Sequence, residues 1–122
     1  MSAPAYEGSC HCGRIAWTVR AEPKHLTDCN CSICRRIGGL WAHVPAASVE
    51  TRYAPDDAVR YVQGDRSLAM ISCVNCGNTT HWESEDPAYE GMSVNMRMVE
   101  ADKVAHLRVR KFDGADSWEF LD

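Results

Sequence analysis

Apolar and polar residues alternate in short runs along this chain, with polar turns between them, which is the pattern of half-buried strands. Between Arg14 and Arg20, Ile15, Trp17 and Val19 fall on one face and Ala16, Thr18 and Arg20 on the other. Leu26 to Cys29 predicts a short strand, and Ser32 to Ile37 one or two helical turns ended by Gly38-Gly39. Leu40 to Val44 predicts an extended segment stopped by Pro45. Val49, Thr51 and Tyr53 alternate again, and Ala58–Val62 and Ser67–Ser72 predict a hairpin across Gln63-Gly64-Asp65-Arg66. Thr79 to Glu83 reads as another strand. Met92, Val94, Met96 and Met98 predict one buried face of a further strand. Leu107 to Phe112 predicts the last one, turned at Asp113-Gly114, and Glu85 to Gly91 the most exposed loop. These elements sum to a mostly β fold of short antiparallel strands with little helix, in one domain over residues 1–122.

Composition narrows the function classes. Hydrophobic residues are 45% and charged residues 25%, as in globular domains, while only 8% are aromatic, so the core is modest and metal crosslinks would help it. The net charge of -4 argues against a general nucleic-acid binder, which would show a basic excess. No segment approaches the roughly 20 apolar residues of a membrane span. The opening MSAPAYEGSC has neither a basic flank nor an apolar stretch, so no secretion signal is expected there. A reducing, cytoplasmic setting follows, with no nucleic-acid or membrane partner and with homo-oligomerisation left open.

In such a setting clustered thiols bind metal in preference to forming disulfides. The seven cysteines lie in three tight groups: Cys10-x-Cys12, Cys29-x-Cys31-x-x-Cys34 and Cys73-x-x-Cys76. A structural zinc takes four protein ligands, whereas a catalytic one typically keeps three and an open position, so a count of seven suggests one site of each kind. The Cys73–Cys76 pair, followed by Gly77, has the form of a zinc knuckle, and Cys10–Cys12, followed by Gly13, has another. Two cysteines cannot close a tetrahedral site alone, so Cys10 and Cys12 need a second pair from a distant part of the chain, and Cys73 and Cys76 are the natural partner. Cys29, Cys31 and Cys34 grip from one side and leave a face for water or an exogenous thiol, whose pKa the cation would lower. Two alternatives stand beside this: a fourth ligand, such as a histidine, closing the trio, and a partition that mixes Cys29 or Cys34 with Cys73 and Cys76.

The remaining candidates are weaker. His43, beside Trp41, is a candidate proton shuttle or fourth ligand, although a lone histidine on a strand is more often a packing or surface residue. His11 is expected to face solvent. Arg35 and Arg36 directly follow the trio and are candidate contacts for the carboxylates of a thiol cosubstrate, or else solvated helix residues. Trp41, Trp82 and Trp118 are read first as core and second as pocket walls. Glu83, Glu85 and Asp86 read as a solvated acidic loop.

The run Gly8-Ser9-Cys10-His11-Cys12-Gly13, then Cys29-x-Cys31-x-x-Cys34-Arg35-Arg36, then Cys73-x-x-Cys76-Gly77 resembles the glutathione-dependent formaldehyde-activating enzyme family. Ser93-Val94-Asn95-Met96-Arg97, and Phe112-Asp113-Gly114 with Trp118, resemble the branch that includes centromere-protein-V-like proteins. The resemblance implies an Mss4-like zinc fold, a small β-tent. It implies a structural zinc on Cys10, Cys12, Cys73 and Cys76 and a catalytic zinc on Cys29, Cys31 and Cys34. It further implies a carbon–sulfur lyase or synthase that adds a thiol such as glutathione to a small aldehyde, formaldehyde being the named case. A zinc-stabilised protein-binding module without catalysis is the alternative.

Overall fold

The computed structural model describes residues 5–122. Among them, ten strands form two sheets. The smaller sheet runs β1 (Tyr6–Ser9), β2 (Ala16–Val19), β5 (Val49–Arg52), antiparallel throughout. The larger takes β3 (Leu26–Cys29), β4 (Trp41–Pro45), β6 (Ala58–Val62), β7 (Leu68–Cys73), β8 (Thr79–Ser84), β9 (Gly91–Asn95) and β10 (Val109–Phe112), in the order β10-β3-β4-β9-β8-β7-β6. Two short helices, α1 (Ser32–Ile37) and α2 (Ala101–Val104), complete a mostly β single domain.

The strand readings hold where alternation met a punctuating residue. Ile15, Trp17 and Val19 are fully buried. The hairpin of β6 and β7 pairs Ala58 with Cys73 and Val62 with Ala69. α1 spans the predicted residues and ends on Gly38 at φ +72°, a left-handed cap that glycine adopts without steric cost.

Four expectations need correction. β10 lies parallel to β3, so the sheet is not purely antiparallel. The segment from α2 to Leu107 carries β10 back to the far edge, and a crossover of that kind permits parallel pairing. The methionine-bearing strand ends at Asn95, and Met96–Met98 forms a 3-10 turn because the Asn95 side chain accepts from the Arg97 N–H and caps it. β4 does not stop at Val44 but takes in Pro45 as its last residue. Glu83 is no loop residue: it sits half-buried on β8.

The core is in two parts. Trp17, Val19, Leu26, Ala42, Val94 and Met96 fill the space between the sheets. A second cluster of Cys10, Ile15, Ala69, Ile71 and Cys73 packs at the end of the larger sheet, with Tyr53 and Cys76 against it. Beside it His81, fully buried, is bonded at Nδ1 to Thr80 Oγ1 (2.8 Å) and at Nε2 to Glu83 Oε2 (2.9 Å). Glu83 also accepts from Tyr53 (2.9 Å) and Arg60 (2.7 Å). The His81 bond is the largest cause holding the Glu83 carboxyl down to about 2, with Arg60 and Tyr53 adding to it against the opposing effect of burial.

Candidate functional site

The seven thiols gather into two groups, Cys10–Cys12–Cys73–Cys76 and Cys29–Cys31–Cys34, with the sulfurs of each group within 4.8 Å of one another. The rival partition is not the arrangement found.

The group of four joins two knuckles. Cys10 ends the run from β1, and Cys73 ends β7, so sheet register brings distant pairs together. Cys12 Sγ lies 3.5 Å from Cys73 Sγ and Cys10 Sγ lies 3.7 Å from Cys12 Sγ. Backbone N–H groups aim at these sulfurs: Ile15 N to Cys10 Sγ at 3.3 Å, Asn75 N to Cys73 Sγ at 3.4 Å. Gly13 (φ +86°) and Gly77 (φ +81°) supply the left-handed turns that close the knuckles. Asn78 ties one knuckle to the other, since its Oδ1 accepts from His11 N at 2.8 Å and lies 3.6 Å from Cys76 Sγ. Cys10 and Cys73 are buried, and burial pushes the Cys10 thiol up to about 11. His11 faces solvent, as expected.

The group of three comes from one short stretch. Cys29 ends β3, Cys31 caps α1 by accepting from Cys34 N at 3.4 Å, and Cys34 lies on the helix. Cys31 N also points to Cys29 Sγ at 3.5 Å. All three are partly exposed. Burial raises the Cys34 and Cys29 thiols, whereas at Cys31 the N–H groups of Cys34 and Ile33 and the adjacent thiols outweigh burial and lower it. No histidine or carboxylate among the described residues joins the trio. Both groups suit zinc, the borderline-soft ion that thiolates hold tetrahedrally. Four sulfurs complete a shell and three leave a position free.

The free side opens on a cavity of about 510 Å³. Trp41, Trp82, Trp118, Phe112, Leu68 and Met70 form its large apolar surfaces, and Gln63, Asp65 and Ser67 stand among its polar groups. Trp41 is buried, as a core residue would be, but Trp82 is half-buried and Trp118 is 70% exposed at the mouth. His43 also lines the cavity, its Nδ1 sharing a 2.6 Å hydrogen bond with the Ser93 hydroxyl. Desolvation by the surrounding protein lowers the pKa of this ring, although the side chain stays partly open to solvent, and His25 acts in the same sense.

Arg35 and Arg36 do not join this site. Both are exposed in the last turn of α1, where cations suit the helix C-terminus, and neither lines the cavity. Arg36 instead donates to the Ser32 carbonyl at 2.7 Å.

Sequence reasoning missed how the C-terminal turn closes the site. Asn30, inside the trio, donates through Nδ2 to Asp113 (3.1 Å) and accepts at Oδ1 from Ala115 N (3.0 Å). Gly114 is pressed so close that a Cβ there would come within 2.6 Å of Cys29 Sγ. The Asp113-Gly114 turn was visible in the sequence, but nothing there said what it would rest against. Ser93 stood in the sequence only as part of the Ser93–Arg97 run, and its pairing with His43 carries no signal until the strands are brought together.

Among solved structures, the fold is similar to a crystal structure of a Rhodobacter sphaeroides protein, at 25% identity and a TM-score of 0.69, covering 84% of this chain and 98% of that one. Residues 5–112 match the family described as glutathione-dependent formaldehyde-activating enzyme, and the chain belongs to that family.

Proposed function

We propose that residues 1–122 form one zinc domain acting as a carbon–sulfur lyase or synthase, which joins a thiol to a small aldehyde and runs the reverse cleavage at the same site. The carrying observation is a trio of cysteines without a fourth protein ligand among the described residues, facing a cavity large enough for a small organic molecule. Cys10, Cys12, Cys73 and Cys76 would hold a structural zinc, and Cys29, Cys31 and Cys34 a catalytic one. Zinc at the trio would supply a lowered pKa to a bound thiol, so that the sulfur is a nucleophile at neutral pH.

The chain's own residues do the rest. The cavity holds thiol and aldehyde together, which raises their effective concentration. The sulfur adds to the carbonyl carbon, a C–S bond forms, and the π pair of the carbonyl moves to oxygen, which takes a proton. With formaldehyde the product is an S-hydroxymethyl thioether of the thiol. His43 is the one imidazole of the wall; in the tautomer whose Nδ1 accepts from Ser93, its Nε2–H is available to that oxygen. The apolar wall keeps water from competing.

The test is exchange of a thiol with formaldehyde followed by NMR line-broadening of the adduct, beginning with glutathione, the thiol in the family's name. The protein should accelerate exchange over the spontaneous rate, and Cys31→Ser should abolish the acceleration while the far-UV spectrum is retained. An acceleration that survives Cys31→Ser rules the trio out as the site.

A further inference from the structure

The wall of the cavity carries no cation. None of the 13 lysines and arginines of the chain lines it. Arg66 stands on the turn at the rim but is exposed and outside the lining, and Arg110 is spent on Phe120 and Asp122. Apart from the cysteines, the one charged side chain in the wall is Asp65, whose carboxylate accepts from Ser67 N at 3.0 Å. A zinc with three thiolates is itself a net anion, so a carboxylate brought beside it meets repulsion and gains no cationic partner for its lost hydration, only neutral donors such as Gln63 and Ser67.

What the wall does offer is flat and apolar. Trp118 is held with φ +61°, a left-handed backbone that a tryptophan adopts only when its surroundings impose it. They do: Trp118 N donates to Asp113 O at 2.7 Å, and the Ser117 N–H and hydroxyl both donate to Asp113 Oδ2. The Phe112 ring meets the indole edge-on, centroids 5.1 Å apart. The rest of the indole is fixed at the mouth and left uncovered. The buried polar atoms without a partner in this wall, Thr27 Oγ1 and Trp41 Nε1, are neutral.

We propose that the thiol this site selects is uncharged and bears a flat apolar body, an aryl or benzylic thiol, in preference to a carboxylate-bearing peptide thiol. The ring lies against Trp118 and the sulfur reaches the trio. This rests on the reading of the trio as a thiol-binding metal site.

The experiment titrates zinc-loaded protein calorimetrically with benzyl mercaptan, 4-(mercaptomethyl)benzoate and glutathione. Benzyl mercaptan should bind about tenfold or more tighter than either anionic thiol. Trp118→Ala should weaken benzyl mercaptan several-fold and 2-mercaptoethanol much less, and Ser67→Arg should strengthen the benzoate. If glutathione or the benzoate binds as tightly as benzyl mercaptan, and Cys31→Ser abolishes that binding, the selectivity is overturned and the thiol-binding metal site stands. If benzyl mercaptan binds equally well to Cys31→Ser, the ring occupies the cavity without the metal and the proposal fails. If no thiol binds, the metal-site reading fails and this proposal with it.

Discussion

The two cysteine groups of this protein contain the same ligand chemistry and differ in how the chain delivers it. The tetrad draws on two knuckles far apart in sequence, is partly buried in its own core cluster, and has sulfurs on all sides. The trio lies within six residues at the end of β3 and the start of α1, is partly exposed, and faces a cavity. A site assembled from distant strands exists only when the sheet is formed, so metal bound there is folding free energy. A site assembled locally adds little to the fold and is free to leave a position open. Closure and long-range assembly therefore go together, as do openness and local assembly.

The largest expected effect tests this division directly. Structural zinc contributes roughly 10–16 kcal/mol in small domains, as much as or more than the roughly 5–15 kcal/mol net stability of a typical protein. Cys73→Ser should therefore abolish cooperative thermal unfolding, followed by circular dichroism, whereas Cys31→Ser should still melt cooperatively. Equal losses in the two variants would break the comparison. Metal analysis sharpens it further: a mild chelator should remove one of two zinc ions much faster than the other, and Cys31→Ser should lack the fast fraction.

Next comes Gly114→Ala. Its new methyl would fall 2.6 Å from Cys29 Sγ, a sulfur that, holding zinc as proposed, would have no freedom to retreat. Zinc affinity of the trio, read by competition with a chromophoric chelator, should drop by at least about tenfold. The tetrad's zinc should be unaffected, and a loss of both would show that the sites are mechanically coupled.

The Glu83 network braces the tetrad's side of the molecule, because Tyr53 packs against that cluster. Glu83 titrates near 2 in the fold against an ordinary 4.5, so its stabilisation is full above the ordinary value and lost as pH falls from about 4.5 towards 2. Glu83→Gln should cost about 2 kcal/mol at pH 7, allowing for partial exposure, and should flatten the pH dependence of Tm in that window. An unchanged acid profile would place the acid-sensitive group elsewhere. The smallest effect is Gly77→Ala, about 1 kcal/mol for forcing a methyl into φ +81°, seen as a modest fall in Tm without loss of zinc.

Much of this was legible without coordinates. Periodicity and punctuation marked β2, β3, α1 and the β6–β7 hairpin, because strand alternation, glycine caps and proline act within a few residues. The four-plus-three arithmetic and the glycine after each knuckle are also local chemistry. Glu83 was misread because its neighbours Glu85 and Asp86 are truly solvated. Its partners His81, Tyr53 and Arg60 come from three different strands or strand ends. Trp82 and Trp118 were read as core because tryptophan usually is, and only the wall of the cavity shows otherwise. Arg35 and Arg36 were tied to the trio by adjacency, but on a helix adjacent residues face different ways.

Ligand type, ligand count and the short-range turns were thus set by the chain itself, since thiolate spacing and backbone sterics need no partner. The parallel return of β10 and the seating of Gly114 and Trp118 against the trio belonged to the tertiary structure. Each depends on contacts between segments far apart in sequence, and no local pattern encodes which distant surface a given side chain will meet.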